Sequence, residues 1–361
     1  MLARGRDHAS PRGTCAATPR DVTMPDASIP RVQPEPEKER ERATMIVNPS
    51  SGKGLGATMH ATLVERLRAR WPSLDAELCT LEHDAEAIAR EAALRDVRTF
   101  VVLGGDGTLN NVINGVASVP GALARSVFGV LPAGTGNDLA GTLGLGTSLE
   151  EAADRLARSE ARTIDLGLLE DRLFANVSAG GLFAEASEAT SQEAKSLAGR
   201  LAYLVAGSRA LLDHAGVGVE LTATTPQGAL TWRGTIAMFA VCNAQTFGGG
   251  KPLAPFAQCD DGWLDAFVVQ DANALGLARV LLEISGGTHL EDDRVVGFRA
   301  SEIDLRFDRP THVNVDGEVA VLERARYRVL PGATRVLVAP EADADAAPAS
   351  DAKVTGAGEP E

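Results

Sequence analysis

Three glycine-rich loops constrain the fold of this chain more than any other sequence feature. In order they are NPSSGKG at 48–54, GGDGTLN at 104–110 and PAGTGND at 132–138. Apolar runs at residues 44–48, 99–103 and 128–131 precede them and predict strands, and helical patterns follow the first two loops. Between the first and second loops, residues 74–79 predict a strand and residues 84–94 a helix. This alternation predicts a mostly parallel sheet covered by helices. Because parallel strands share one carboxyl edge, we expect the loops to converge on one crevice.

The first loop joins a predicted strand to a predicted helix. Backbone N–H groups at a helix N-terminus bind phosphate oxygens well. The loop is not a Walker A motif, because Val47 stands five positions before Gly52 and Gly54 follows Lys53. The residues alone therefore leave a phosphate loop and a plain strand-to-helix turn as alternatives.

The second loop carries a stronger signal. Gly104, Gly105 and Gly107 let a ligand approach the backbone closely, and Asp106 places a carboxylate among them. A simple turn after a buried strand does not need this sequence, which favours a functional loop. The pattern is not the dinucleotide GxGxxG motif, which argues against a dehydrogenase.

The second half of the chain has a different rhythm. Helical patterns appear only near residues 195–214 and 273–285. Many short strands separated by turn signals predict a sandwich or barrel-like second domain. The predicted strands are 164–169, 173–177, 217–225, 230–243, 264–269, 302–307, 313–315, 327–330 and 335–338.

Charge and cysteine usage exclude several classes of protein. The 361 residues carry a net charge of −14, which argues against nucleic-acid binding because that needs a basic face. No uninterrupted apolar run approaches the ~18 residues of a membrane span. The four cysteines are scattered, which argues against a disulfide or metal framework and predicts a cytoplasmic protein.

Together the motifs resemble those of the diacylglycerol kinase catalytic domain family, which includes bacterial soluble lipid kinases and the sphingosine and ceramide kinases. GGDGT alone is not specific, because NAD kinases and phosphofructokinases carry similar loops. The Asn48-Pro49 loop and the later Asp-Asp-Gly segment favour a lipid kinase. Spanning about residues 44–340, the resemblance extends to DLG at 165–167, FANVSAG at 174–180, CDDGWLD at 259–265 and VDGE at 315–318.

The resemblance implies an α/β plus all-β fold. A Rossmann-like α/β nucleotide domain would precede a β-sandwich-like domain, as in NAD kinases and diacylglycerol kinases. The expected divisions are a disordered arm at 1–43, an ATP-binding α/β domain at 44–165, a β-rich lipid-substrate domain at 166–312, strands returning to the kinase domain at 313–340, and a disordered acidic tail at 341–361.

The family's activity would be transfer of the γ-phosphoryl group from ATP to a lipid hydroxyl, with Mg²⁺. Diacylglycerol or a related lipid alcohol would be the acceptor. The alternatives are a sphingosine-like lipid kinase, an NAD kinase and a non-catalytic nucleotide or lipid sensor. The nucleotide-binding residues would be Asn48, Pro49, Ser50, Ser51, Gly52, Thr80, Gly104, Gly105, Asp106, Gly107, Thr108, Leu109, Asn110 and Thr135.

Five acids are candidates for the chemistry. The resemblance implies that Asp106, Asp138 and Asp165 organise Mg²⁺, largely through water, and a helix cap or turn is the alternative role for each. Asp316 or Glu318 would take the proton of the acceptor hydroxyl, with Glu318 favoured. A hairpin Asp-Gly turn is the alternative for this pair.

A second metal site is implied at residues 258–265. Its ligands would be Asp261 and the backbone carbonyls of Gln258 and Trp263. A tight turn stabilised by Asp260 and Gly262 explains the same residues equally well.

The expected partners are a lipid alcohol and, transiently, the membrane surface, with no nucleic acid. The negative charge should not draw the folded part strongly to anionic lipid, so an apolar or local basic patch would have to mediate that contact. The resemblance also allows a homodimer, which the sequence does not decide.

Overall fold

The computed structural model describes residues 42–146, 148–184 and 215–340. The predicted helix at 195–214 and the acidic tail lie outside these residues, as does nearly all of the predicted N-terminal arm.

The first part of the chain forms the predicted parallel sheet. Strand β1 (Ala43–Val47) lies between β2 (Asp75–Leu78) and β3 (Thr99–Gly104), and β4 (Val127–Pro132) extends the sheet beyond β3. Every residue of β1 and β3 is buried. Continuous apolar strands of this kind occur where helices cover both faces of a sheet.

Helices alternate with these strands. Asp84 caps α2 by accepting the N–H of Ala87, and Ser148 caps α6 by accepting the N–H of Glu151. The strand and helix patterns therefore predict most of these elements, and α4, α5 and α6 have no predicted counterpart. The helices are α1 (Leu55–Leu67), α2 (Ala85–Leu94), α3 (Asp106–Ala117), α4 (Ala122–Arg125), α5 (Asp138–Thr142) and α6 (Leu149–Arg158).

The rest of the described chain is rich in strands, as expected. Helix α7 (Ala274–Gly286) interrupts them and begins at the predicted place, with Asn273 as its cap. The strands are β5 (Glu160–Leu169), β6 (Arg172–Phe174), β7 (Val177–Gly181), β8 (Val217–Thr225), β9 (Gly228–Cys242), β10 (Thr246–Phe247), β11 (Lys251–Pro252), β12 (Leu264–Gln270), β13 (Val295–Ala300), β14 (Glu302–Val315) and β15 (Glu318–Val338).

Five strand predictions need correction. The predicted pairs 302–307 with 313–315 and 327–330 with 335–338 are each one strand, β14 and β15. Their pairing registers shift between Arg306 and Thr311 and between Leu330 and Thr334, so the proline and glycine there mark irregularities rather than ends. The single strand predicted at 173–177 is divided between β6 and β7, and β13 has no predicted counterpart.

The final strand joins the two parts of the structure. The first portion of β15 pairs antiparallel with β14. Its last portion pairs parallel with β4 and antiparallel with β5. The principal sheet therefore runs without a break in the order β13-β12-β9-β7-β14-β15-β4-β3-β1-β2.

Candidate active site

The three glycine loops meet at the carboxyl edge of the parallel strands. The side-chain amide of Asn48 donates to the hydroxyl of Thr108 over 3.0 Å, which joins the first loop to the second. A Cβ atom on Gly105 would lie 3.0 Å from the Cα atom of Gly134, so the second and third loops approach backbone to backbone. The predicted convergence of the loops is therefore present.

One glycine of the first loop is required by its conformation. Gly52 has a φ of +61°, and a Cβ atom there would lie 2.9 Å from the carbonyl oxygen of Ala133 in the third loop. A side chain would meet both backbone strain and an unyielding carbonyl. Glycine at this position lets the first and third loops approach each other.

The second loop passes directly into α3. The N–H of Leu109 donates to the carbonyl of Gly105, so it is not available to a ligand. The N–H groups of Asp106, Gly107 and Thr108 come before it in the first turn, where helices leave donors without intrahelical partners. The side chains of Leu109 and Asn110 are buried. Fewer backbone N–H groups are therefore available to a phosphate than the whole motif at 104–110 predicts.

Asp106 braces the third loop. Its carboxylate accepts the N–H groups of Asp138 and Leu139 over 3.1 and 3.2 Å. Burial raises the pKa of Asp106 above the ordinary carboxyl value, and the charge of Asp138 raises it further. The two carboxylates therefore form a close acidic pair.

Asp138 holds a loop that lies more than a hundred residues away in sequence. Its carboxylate accepts the N–H groups of Gly248, Gly249 and Gly250 over 2.6, 2.9 and 2.8 Å. All three glycines have positive φ, which turns successive N–H groups toward one anion. The sequence pattern showed a glycine run here but not the acid that it binds.

Asp316, in the turn between β14 and β15, is also held by backbone N–H groups. It is buried, and its carboxylate accepts the N–H groups of Ala175, Asn176 and Val177 over 2.8, 3.2 and 2.8 Å. Burial raises the pKa of Asp316 to about 7. A Cβ atom on Gly107 would lie 3.2 Å from the carbonyl oxygen of Asp316, so the β14–β15 turn abuts the start of α3.

Glu318 lies two residues further on and differs from Asp316 in accessibility. Its side chain is 49% exposed, and one carboxylate oxygen lies 3.0 Å from a terminal nitrogen of Arg172. Of the two acids predicted as general bases, Glu318 is the one that an incoming hydroxyl can reach. Arg172 cannot be found from the sequence, because a single arginine at the start of a short strand has no distinguishing pattern.

The remaining predicted ligands lie in a second cluster. Asp165 accepts the N–H groups of Gly262 and Gly332 over 2.6 and 2.7 Å. Asp261 accepts the N–H of Trp263 and forms an ion pair with Arg299. The bonding partners of Asp165 and Asp261 are thus distinct from those of Asp106 and Asp138. Within residues 42–146, 148–184 and 215–340, no group of three His, Cys, Asp or Glu side chains could hold a metal ion.

The two lone threonines predicted to contact nucleotide are exposed. Thr80 follows β2 in a turn in which its hydroxyl accepts the N–H of His83 over 3.0 Å. Thr135 lies in the third loop. Both sit after parallel strands at the same edge of the sheet, and their contact with nucleotide remains a prediction.

Comparison with known proteins assigns this arrangement to a family. Residues 42–169 match the family described as "Diacylglycerol kinase catalytic domain". Residues 175–338 match the "YegS C-terminal NAD kinase beta sandwich-like domain". The diacylglycerol kinase of Staphylococcus carnosus (strain TM300) is 31% identical over 279 residues, which are 77% of this chain and 89% of the relative. The chain belongs to the diacylglycerol kinase family.

Other relatives agree with this assignment. A diacylglycerol kinase of Bacillus subtilis (strain 168) is 31% identical over 77% of this chain and 90% of its own length. A crystal structure from Bacillus anthracis str. Sterne, provisionally assigned as a diacylglycerol kinase, has a TM-score of 0.71 and 25% identity, covering 86% of this chain and 99% of that one.

Family membership makes the chain an ATP-using kinase whose acceptor is an alcohol, and it confirms the resemblance seen in the motifs. The fold prediction is confirmed at the level of an α/β catalytic part followed by a β-sandwich part. No helix among the described residues is long and apolar enough to span a membrane.

Proposed function

We propose that this kinase transfers the γ-phosphoryl group of ATP to the hydroxyl of diacylglycerol or a closely related lipid alcohol. The observation that carries the proposal is the contact between Gly107, at the start of α3, and the backbone of Asp316 beside Glu318. This contact puts a helix N-terminus suited to phosphate next to an accessible carboxylate suited to a hydroxyl. The curated relatives named above as diacylglycerol kinases support the choice of acceptor.

The nucleotide would bind where the three loops meet. Its phosphate oxygens would accept N–H groups from the first turn of α3 and from the Ser51–Gly54 turn. Phosphoryl transfer requires charge neutralisation and in-line positioning more than covalent help from the protein. In this proposal residues 44–165 form a Rossmann-like nucleotide domain, residues 166–312 receive the lipid, and residues 313–340 return to the kinase domain.

A divalent cation fits the acidic pair of this site. Both carboxylates face Gly136, since a Cβ atom on Gly136 would lie 3.1 Å from Oδ2 of Asp106 and 2.8 Å from Oδ2 of Asp138. Mg²⁺ prefers oxygen ligands and keeps several waters, so Asp106 and Asp138 would hold it partly through water. When bound, it would neutralise charge on the transferring phosphate. Asp165 would contribute only from its neighbouring cluster.

The loop that contains Asp261 fits a second cation less well. The Arg299 guanidinium already pairs with one oxygen of Asp261, and the N–H of Trp263 donates to the other. A metal bound by Asp261 and the carbonyls of Gln258 and Trp263 would stand beside this positive charge. We therefore derive no catalytic role for this loop, and its metal binding stays a prediction.

Glu318 is proposed to take the proton from the acceptor hydroxyl as the oxygen attacks the γ-phosphorus and ADP leaves. Asp316, which is buried and accepts three backbone N–H groups, would fix the turn that presents Glu318. The enzyme would work in the cytoplasm and visit the membrane transiently to reach its lipid. A homodimer is compatible with this proposal.

The Glu318→Gln variant tests the proposed base. Glutamine keeps the shape of the side chain but cannot accept the proton, so turnover should fall by on the order of 10²–10⁴-fold. ATP affinity, measured by calorimetry, should stay within about twofold of wild type. The substitution removes an interaction that acts in the transition state, not one that binds ATP in the ground state. Full activity of this variant would rule out Glu318 as the base.

Substrate class is tested with labelled ATP and a panel of diacylglycerol, sphingosine, ceramide and NAD. Transfer to diacylglycerol is the expected result. Phosphorylation of NAD but of no lipid would overturn the proposal. Intact ATP binding without transfer to any acceptor would favour the non-catalytic sensor.

A further inference from the structure

Arg172 connects the proposed base to the nucleotide-binding half of the structure. Its side chain is 24% exposed and lies on the short strand β6. One terminal nitrogen is 2.6 Å from a carboxylate oxygen of Glu86 on α2. The other donates to the side-chain oxygen of Asn111 on α3 over 2.6 Å and lies 3.0 Å from Glu318. A single guanidinium thus reaches three elements.

The backbone that carries Arg172 is itself fixed on α3. The side-chain amide of Asn114 donates to the carbonyl of Leu173 over 3.0 Å and accepts the N–H of Leu173 over 3.0 Å. Asn114 is buried, so this reciprocal pair excludes water. An arginine with a fixed backbone and a planar fork loses little freedom when it pairs with acids.

The same short segment holds both acids of the β14–β15 turn. Ala175, Asn176 and Val177 give their N–H groups to Asp316, as described above. Arg172, at the start of the segment, pairs with Glu318. The position of Glu318 relative to α3 is therefore set from one place in the chain.

We propose that Arg172 is a positioning residue that holds Glu318 against the N-terminal half of the active site for proton abstraction. The inference rests on the proposed function, since Glu318 must be the base. Glu86 and Asn111 fix the guanidinium from the nucleotide side, and Glu318 is held in turn. Without this tie, a side chain that is half exposed would sample many rotamers away from the lipid hydroxyl.

A double-mutant cycle of Arg172→Met with Glu318→Gln tests this inference, with kcat and the KM values for ATP and lipid as readouts. Methionine keeps an unbranched apolar stem and removes the guanidinium. Arg172→Met alone should lower kcat on the order of a hundredfold. In the Glu318→Gln enzyme the same change should lower residual kcat by less than about twofold, because the base that Arg172 would position is already absent.

Two variants separate positioning from general destabilisation. Arg172→Lys keeps the charge but cannot bridge three partners, so its kcat should lie between wild type and Arg172→Met. This milder variant also keeps the test open if Arg172→Met does not fold. Arg324→Ala is the control, because Arg324 lies on β15 with Glu318 and forms a comparable ion pair with Asp304 on β14. The kcat of this variant should stay near wild type.

The outcomes distinguish the inference from the proposed function. Equal losses from Arg172→Met in both backgrounds would assign Arg172 a structural role and overturn the inference. An inactive Glu318→Gln enzyme with an undiminished Arg172→Met enzyme would overturn the inference alone. A fully active Glu318→Gln enzyme would remove the proposed base and this inference with it.

Discussion

At the residue scale, Asp316 shows how a buried acid links folding to pH. Its pKa is raised from 3.8 to about 7 because burial disfavours the charged form more than three backbone N–H groups favour it. The folded chain therefore binds this proton more tightly than the unfolded chain. Between pH 3.8 and about 7 the contribution of Asp316 to the free energy of unfolding falls as pH rises, by up to about 4 kcal/mol.

Asp316→Asn should flatten this pH dependence. Asparagine does not titrate, so urea denaturation at pH 5 and pH 8 should give free energies of unfolding that differ less than in wild type. The variant should also be less stable at both pH values, since its amide nitrogen cannot accept the N–H groups at 175–177.

Asp304→Asn is the matched control for this measurement. Its hydrogen bond with Arg324 lowers the pKa of Asp304, so stability from this group is lost only as pH falls below the ordinary carboxyl range. Above pH 5 the control should keep the wild-type slope. A wild-type slope in Asp316→Asn would contradict the assigned origin of the effect.

The residue scale also marks the limit of prediction from sequence. Asp106, Asp316 and Glu318 could be found because they stand inside short motifs with glycine. Arg172 and the glycines that bind Asp138 could not, because their partners lie at least 61 residues away and no periodicity connects them. Local spacing specifies a loop's conformation, whereas the partner across the fold depends on how the elements pack.

At the element scale, the contact between α2 and α3 controls the positions of Glu86 and Asn111. A Cβ atom on Gly115 of α3 would lie 2.2 Å from the carbonyl oxygen of Glu86 and 2.9 Å from the Cβ atom of Ala89. The first of these is backbone, which cannot move aside by changing rotamer. Gly115 therefore permits a helix approach that any side chain would prevent.

Gly115→Ala should separate the two helices. We expect a loss of about 1–3 kcal/mol in the free energy of unfolding, as for overpacked cores. Turnover should fall as well, because the shift displaces Glu86 from Arg172. Denaturant titration and steady-state kinetics measure the two effects.

Gly141→Ala provides the control, since a Cβ atom on Gly141 of α5 meets nothing within 4 Å. It should be neutral or stabilise by about 0.4–1 kcal/mol through the unfolded state. Equal stability of the Gly115 and Gly141 variants would show that the helices can adjust.

Element boundaries follow the same division between local and non-local causes. Helix α2 was predicted to within one residue because Asp84 supplies a cap and the apolar spacing is regular. Strand β13 and the first portion of β15 were missed. In β15 the residues from Glu318 to Glu323 are exposed or partly exposed, so they lack the alternation that marks a half-buried strand. Pairing with β14, rather than their own pattern, makes them a strand.

At the scale of the whole molecule, β15 couples the two parts that match different families. Its first portion pairs with β14 of the β-sandwich part, and Val336 in its last portion pairs with Phe128 of β4. Val336 is fully buried in the core of the α/β part. Because the sheet is continuous through β15, unfolding of either part would remove pairing partners from this strand.

The chain should therefore unfold in one cooperative transition. The three tryptophans allow a direct test, since Trp71 is buried in the core of the α/β part and Trp232 packs against a core cluster of the sandwich. Replacing Trp232 and Trp263 by Phe leaves Trp71 as the probe, and replacing Trp71 and Trp263 leaves Trp232. The urea midpoint is measured in each protein by tryptophan fluorescence and expressed relative to the midpoint that circular dichroism gives for the same protein. These relative midpoints should coincide in the two proteins.

Val336→Ala sharpens the same test. Removing two buried methyl groups should lower the free energy of unfolding by about 2 kcal/mol. If β15 couples the parts, the Trp232 midpoint should fall as far as the Trp71 midpoint, although Val336 lies in the α/β core. A shift confined to Trp71, or two separate transitions in the parent protein, would show that the parts unfold independently. In that case the β14–β15 turn that carries Asp316 and Glu318 could detach from α3 without global unfolding, and the active site would be the weakest point of the fold rather than its junction.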